Sequence, residues 1–192
     1  MNLKKYLILL LFVSTFFTLS FQKMSFSSDT ELKLDKEYYP SLLKDIKSAK
    51  KSIFCVIYLI KVNFKSENDP VRILLDALIN AKKRGVEVTV IADHNTTFWE
   101  KNERLESKSD AALAYLKKNG INVNLDPIDI ITHNKVVVID EKIVHLGSSN
   151  WTYSALSFNH EANLRCVNVK MAQELRKKLK QIKVKAYDAT NK

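Results

Sequence analysis

The stretch that determines the fold and the chemistry of this chain is His133-Asn134-Lys135-Val136-Val137-Val138-Ile139-Asp140, followed by Gly147-Ser148-Ser149-Asn150. The apolar run before Asp140 predicts a strand, and side chains alternate along a strand, so His133 and Lys135 are expected on one face. This pairing places a nucleophile or proton carrier beside a positive charge. Small and polar residues end the next apolar run. A histidine, an ammonium, hydroxyls and an amide in one place are the groups that binding and attack at a phosphate ester require.

Around this stretch the chain alternates helices and strands. Helical spacing of apolar residues predicts a helix over 38–51, and an apolar run predicts a buried strand over 52–60. Asp69-Pro70 predicts the start of a helix that ends before Gly85, and a strand over 86–92 follows. This alternation of helices and strands predicts a single α/β domain with a mixed, mostly parallel sheet and helices on both faces. The tight turn after Ile139 predicts that strands 135–139 and 143–146 form an antiparallel hairpin.

The N-terminal segment is expected to lie outside this domain. Residues 1–28 contain three lysines and no acid, and residues 6–21 are apolar apart from a few Ser and Thr. This composition is typical of an export signal. We expect a cleaved signal peptide, with an uncleaved membrane anchor at residues 6–21 as the alternative, and a catalytic domain over 29–192. Either outcome predicts an exported protein, periplasmic or secreted.

Composition sets the class of protein and of partner. Of the 192 residues, 46% are apolar and 27% are charged, as in soluble globular proteins. The net charge of +10 favours a polyanionic partner, either nucleic acid or an anionic lipid surface. A generally lysine-rich proteome would give the same charge, so charge alone does not choose the partner.

The cysteines give no sign of a metal site. Cys55 and Cys166 each lie in an apolar strand-like run. In an exported protein they could form a disulfide, and two buried free thiols are the alternative. No C-x-x-C or clustered His/Cys spacing predicts a metal, and no cofactor is expected.

The full pattern H-x-K-x4-D-x6-G-S-x-N resembles the HKD motif of the phospholipase D superfamily. The resemblance covers about residues 37–185 and includes the segment 159–163. It implies the phospholipase D-like fold. Members use two motifs that face each other, and this chain has one. It is therefore similar to the small single-motif bacterial members, which form a two-fold dimer with the active site across the interface.

The resemblance implies roles for individual residues. His133 of one subunit is the nucleophile, and His133 of the other is the general acid. Glu161 matches the acid that orients the histidine ring, and Asp140 matches the motif's aspartate, which buttresses the hairpin. The candidate catalytic set is thus His133, Lys135, Asp140 and Glu161, and the chemistry of the side chains assigns phosphate binding to Lys135, Ser148 and Asn150. The plainer alternatives are a surface His–Lys pair, a turn aspartate and a strand-end glutamate.

The remaining histidines and aromatic residues have weaker assignments. His145 lies on the return strand without a motif partner and is expected to be structural. His94 follows a strand, on the side where α/β proteins bind ligands. Phe98 and Trp99 could stack on bases or pack their loop.

Two substrate classes are compatible with these residues. We expect a metal-independent phosphodiesterase that forms a phosphohistidine, most simply an exported nuclease acting on DNA or RNA, as the resemblance to bacterial endonucleases of the superfamily implies. The alternative is a phospholipase D that hydrolyses the headgroups of phosphatidylcholine, phosphatidylethanolamine or cardiolipin at a membrane surface. A binding protein with an inactive site is disfavoured because buried polar groups are costly to retain.

Overall fold

The strands lie in a large sheet and a small one. The computed structural model describes residues 29–93, 109–127 and 130–188, so the predicted signal or anchor at residues 1–28 lies outside the described residues. In chain order the strands are β1 Asp29–Leu34, β2 Ser52–Ile57, β3 Ile60–Lys61, β4 Glu87–Ala92, β5 Asn122–Leu125, β6 Lys135–Ile139, β7 Ile143–Gly147, β8 Trp151–Thr152, β9 Ala162–Val167 and β10 Lys185–Ala186. The large sheet has the order β1-β9-β7-β6-β2-β4-β5-β10, and β3 pairs with β8.

The described residues also form five α-helices. They are α1 Tyr38–Ser48, α2 Pro70–Lys83, α3 Asp110–Lys118, α4 Tyr153–Ser157 and α5 Val169–Leu179. The predicted start of α2 is confirmed, since the Asp69 carboxylate accepts the Arg72 N–H at 2.9 Å and Pro70 lies in the first turn. Asn168 caps α5 in the same way through the Met171 N–H at 2.8 Å. No helix among these is long and apolar enough to span a bilayer.

The mixed α/β class is confirmed, but the balance of strand directions differs from the expectation. Only the β2–β4 and β4–β5 pairs of the large sheet are parallel. The other neighbours, including the predicted β6–β7 hairpin, are antiparallel. The physical reason is the length of the connections. Crossover helices α2 and α3 return the chain for parallel pairing, whereas the three-residue turn after β6 allows only an antiparallel partner.

Helices cover both faces of the sheet, as predicted. The six residues of β2 are all buried, and residues 53–57 alternate between two apolar clusters. Ile53, Cys55 and Ile57 pack with α1, α2, α3 and α4 on one face. Phe54 and Val56 pack with α5 on the other face. The central strand is therefore apolar without interruption because both of its faces are core.

The two cysteines do not meet. Cys55 belongs to the cluster under α1 to α4, and Cys166 to the cluster under α5. Both are buried free thiols. Because they face opposite sides of the sheet, a disulfide between them is excluded in this fold.

His145 lies in a buried charged network, as expected for a structural histidine. Its fully buried Nε2 lies 2.7 Å from Asp45 Oδ2 on α1. The same carboxylate accepts Arg165 Nε at 2.7 Å, and Arg165 Nη1 lies 2.8 Å from Glu31 Oε1. Burial acts to raise the pKa of Asp45, but the hydrogen bonds from His145 and Arg165 outweigh it and lower that pKa to about 2. The network ties α1 to strands β7, β9 and β1.

Asp45→Asn is expected to lower the free energy of unfolding by about 3 kcal/mol at pH 7, because it leaves Arg165 without its buried counter-ion. The folded pKa lies below that of an unfolded aspartate, ~3.9. The contribution of the Asp45 carboxylate to the free energy of unfolding is therefore present above about pH 4 and is lost as the pH falls toward 2. Urea denaturation at pH 7, 5 and 3 measures this difference, and Asp29→Asn at the exposed start of β1 is the control. A difference that does not shrink between pH 5 and 3 would contradict the assignment.

Candidate active site

The motif residues lie where the parallel strands end. Strand β6 runs antiparallel to β2, with Lys135 opposite Ile57, so the start of β6 lies at the edge where β2 and β4 finish. His133 precedes β6 and is exposed, whereas Lys135 is 6% exposed. This edge is the usual ligand-binding edge of α/β sheets.

The Lys135 side chain places a buried ammonium at this edge of the sheet. Its Nζ donates to the His133 carbonyl oxygen at 3.0 Å, which is its one hydrogen bond within the described residues. An ammonium has three donors. Burial lowers the pKa of Lys135, while the carboxylates of Glu161 and Asp93 act in the opposite direction. The group can therefore bind an anion that enters beside His133.

The Glu161 carboxylate lies at the rim of the site, which is formed by Ser148 and residues 159–161, and binds two of its side chains. It accepts the Ser148 hydroxyl in a short hydrogen bond on Oε2 and Asn159 Nδ2 at 3.1 Å on Oε1. The Ser148 hydroxyl oxygen also accepts the Ala162 N–H at 3.1 Å. Within the described part of the chain, Glu161 makes no hydrogen bond to His133. Its predicted role in orienting the histidine ring stays a prediction, and its contacts place it as the residue that holds Ser148.

The turn that carries Ser148 requires a glycine. A Cβ at Gly147 would overlap the Asn163 amide oxygen and lie 2.5 Å from the Ala162 carbonyl oxygen. Asn163 is buried, and its amide accepts the Ser149 N–H at 3.3 Å and donates to the Ser149 hydroxyl at 2.9 Å. Strand β9 thus fixes the Gly-Ser-Ser-Asn turn through side chain and backbone together.

Asn150 follows this turn, directly before β8. Its side chain is half-buried, and its Oδ1 atom makes no hydrogen bond with the described residues. A buried amide without a partner is costly in a folded protein. The predicted role of Asn150 stays a prediction.

Asp140 lies at the opposite end of β6 from Lys135, about 16 Å away at the rise of a strand. Its carboxylate accepts the backbone N–H groups of Lys50, Lys51 and Ser52 at 2.7 to 3.2 Å. Burial acts to raise the pKa of Asp140, but these hydrogen bonds prevail and lower it. The motif's aspartate therefore holds the loop between α1 and β2 and lies far from the histidine.

Sequence reasoning missed three residues that shape the site. The ring of Tyr58 lies 4.5 Å from the His133 ring, centroid to centroid. The buried Asp93 accepts the Thr132 N–H at 2.8 Å and so holds the segment that carries His133. Asp35, at φ +48°, accepts the Glu161 N–H at 2.8 Å. Tyr58 and Asp93 each directly follow a strand of the ligand-binding edge, a position that could have revealed them.

Several sequence predictions lie outside the described residues. They are those for His94, Phe98 and Trp99. Among the described residues, no group of three or more His, Cys, Asp or Glu side chains could hold a metal ion.

Comparisons with known proteins place this geometry in a family. A family profile described as "Cardiolipin synthase, PLD-like domain" matches residues 42–183. The solved structure of Nuc from Salmonella typhimurium, a phospholipase D family member, is similar with a TM-score of 0.69 and 26% identity, covering 84% of this chain and 99% of Nuc. The fold and the motif edge thus define a phospholipase D-like domain.

Curated relatives agree with this class. A phospholipase D of Rickettsia prowazekii is 36% identical over 101 residues, which are 53% of this chain and 45% of that protein. A cardiolipin synthase of Staphylococcus aureus is 30% identical over 170 residues, 85% of this chain and 29% of that protein. The chain spans less than half the length of these relatives. The chain belongs to the phospholipase D superfamily.

Proposed function

We propose that this chain is a phosphodiesterase that acts on nucleic acid through a phosphohistidine intermediate and needs no metal ion. One observation carries the proposal: the exposed His133 imidazole and the buried Lys135 ammonium both contact the ring of Tyr58, at 4.5 Å between ring centroids and 4.8 Å from Nζ to the centroid. Among the described residues the ammonium donates one hydrogen bond, to the His133 carbonyl oxygen, and its other donors suit a phosphate oxygen. Phosphoryl transfer depends mainly on positioning and on stabilising charge, and this pair supplies both.

The proposed reaction has two steps. A ring nitrogen of His133 forms a bond to phosphorus while the bond to the leaving oxygen breaks, and that oxygen takes a proton from a second imidazole. Water then attacks phosphorus, the phosphorus–nitrogen bond breaks, and the proton of the water returns to the second imidazole. Lys135 stabilises the charge of the non-bridging oxygens in both steps.

The second imidazole is proposed to be His133 of a second copy. His145 is fully buried against Asp45 and cannot reach a substrate. An apolar strip on the sheet supports a second copy: Leu32 is 57% and Leu164 is 37% exposed, and the two pair across β1 and β9. Strand β9 begins directly after Glu161, so the strip adjoins the rim of the site. Among the described residues His133 is the one histidine of the motif, and an exposed apolar strip next to it suits a homodimer.

Leu164→Asp is expected to convert a dimer into a monomer and to abolish hydrolysis, because a charge would lie in the interface and separate the two His133 residues. Size-exclusion chromatography with light scattering measures the mass. Val184→Asp is the matched control, since Val184 is 45% exposed but lies beside β10, at the other edge of the sheet. An active monomer of either wild type or Leu164→Asp would contradict the shared site.

Nucleic acid is favoured as the substrate by charge and by overall likeness. The chain has a net charge of +10. The exposed Lys61 on β3 pairs with Thr152 on β8, two residues beyond Asn150, so this charge adjoins the site. The likeness to Nuc extends over nearly the whole of that protein, 99% of its length. A basic chain with a lysine next to its phosphodiester site suits the phosphate backbone of a nucleic-acid strand.

A phospholipid substrate is the second candidate, and one observation favours it. Phe158 is 72% and Tyr153 is 52% exposed, and their rings pack edge to face at 5.4 Å beside Asn159. An exposed aromatic pair next to an active site suits contact with a lipid surface. The curated relatives named phospholipase D and cardiolipin synthase support the same candidate.

A single side-by-side assay in EDTA tests the proposal. Single-stranded DNA, duplex DNA, RNA and mixed phospholipid vesicles are incubated with the purified chain, and His133→Ala is the blank. We expect nucleic acid to be cleaved and the vesicles to stay intact. Release of lipid headgroups without nucleic-acid cleavage would establish the second candidate, and activity that returns only with a divalent ion would exclude the histidine mechanism.

A further inference from the structure

One aromatic side chain contacts two motif residues at once. Tyr58 follows β2, and its backbone N–H donates to the Asn134 carbonyl oxygen at 2.7 Å, which extends the β2–β6 pairing beyond Ile57 and Lys135. Its ring lies 4.5 Å from the His133 ring at an interplanar angle of 59°. The Lys135 Nζ lies 4.8 Å from the centroid of the same ring.

The contact with Lys135 stabilises the ammonium without neutralising it. A cation over the face of an aromatic ring is attracted by the ring quadrupole. A carboxylate in that place would cancel the charge and occupy the donors. Among the described residues no carboxylate forms an ion pair with Lys135, whose side chain is nevertheless buried. The ring therefore covers one side of the ammonium and leaves its charge for an incoming anion.

The contact with His133 restricts the direction of the imidazole. His133 is exposed, and its ring makes no hydrogen bond within the described part of the chain. The distance and tilt of the Tyr58 ring lie in the favourable range for aromatic pairs. A nucleophile that is held in one direction reacts faster than one that rotates freely.

We propose that Tyr58 is a positioning residue of this site, which fixes the direction of the His133 ring and holds the Lys135 ammonium through a cation–π contact. The inference rests on the proposed roles of His133 and Lys135. Tyr58 acts through the ring face in this account, so its hydroxyl is dispensable and the aromatic ring is required.

Two variants of Tyr58 separate the ring from its hydroxyl, and a variant of Tyr115 is the control. With bis(p-nitrophenyl) phosphate as the probe, Tyr58→Leu is expected to lower kcat/KM about 10- to 30-fold, and Tyr58→Phe to stay within threefold of wild type. Tyr115→Leu is the matched control, because Tyr115 is also half-buried but lies on α3 with its hydroxyl on Asp76. It should leave kcat/KM within threefold. A Phe variant as slow as the Leu variant would overturn the role of the ring.

A spectroscopic readout tests the geometry without turnover. The Tyr58 ring current should displace the signals of the His133 ring protons from those of a solvent-exposed histidine in the NMR spectrum of the full chain. Tyr58→Leu should move these signals toward those of the exposed His160, and Tyr58→Phe should keep them shifted. Unmoved His133 signals in Tyr58→Leu would overturn the inference. Wild-type turnover in His133→Ala would instead overturn the proposed function, so the two failures are distinguishable.

Discussion

His133→Ala is expected to reduce kcat for phosphodiester hydrolysis by about 10⁴-fold or more, because it removes the atom that forms the bond to phosphorus. In a shared site the same substitution also removes the proton donor of the partner. The side chain is exposed, so the fold should be unchanged in far-UV circular dichroism. The measurement is steady-state turnover of bis(p-nitrophenyl) phosphate in EDTA.

The matched control is His160→Ala. His160 is fully exposed on the same rim, with Nδ1 3.4 Å from Asp35 Oδ2, and we expect its loss to change kcat less than threefold. Acid-sensitive, base-stable phosphate on the peptide that contains His133 would identify the intermediate directly. If His133→Ala kept a tenth of wild-type activity, the imidazole would be excluded as the nucleophile.

Lys135→Met is expected to lower kcat/KM by about 10³-fold, since it removes the cation that stabilises charge on the phosphate oxygens. Methionine keeps the length and bulk of the buried stem, and it removes the cost of burying a charge, so the variant should be at least as stable as wild type. Lys142→Met, at the turn on the far end of β6, is the control and should be fully active.

The same residue sets an expected pH dependence. Burial lowers the pKa of Lys135, so the ammonium is lost at a lower pH than that of a free lysine as the pH rises. Wild-type kcat/KM should therefore fall in the alkaline range below the ordinary lysine pKa, and the residual activity of Lys135→Met should lack that fall. An identical alkaline profile in both proteins would show that another group titrates there.

The sequence predicted those features that depend on local pattern. The hairpin of β6 and β7 follows from two apolar runs and a tight turn, and the start of α2 from Asp69-Pro70. The fixed order of residue types from His133 to Asn150 indicated the family before any contact was known. Each of these signals lies within a short stretch of chain.

The features that the sequence did not predict depend on register between distant segments. Tyr58 contacts His133 and Lys135 only because β2 pairs with β6, and His133 lies 75 positions after Tyr58 in the chain. Asp93 follows β4 and reaches Thr132 because β4 pairs with β2, which in turn pairs with β6. The antiparallel majority of the sheet also escaped prediction, since an apolar strand pattern carries no direction.

The clamp that Asp140 forms on the backbone of residues 50–52 gives the motif a fixed length. Lys135 and Asp140 lie at the two ends of one strand, and neighbouring residues of a strand face opposite sides. Inserting or deleting one residue between them would turn the Lys135 side chain to the other face of the sheet. A change of two residues would keep the face but move His133 by about 7 Å along the strand. Among natural variants of this chain, the interval between lysine and aspartate should therefore vary in composition and keep its number of residues.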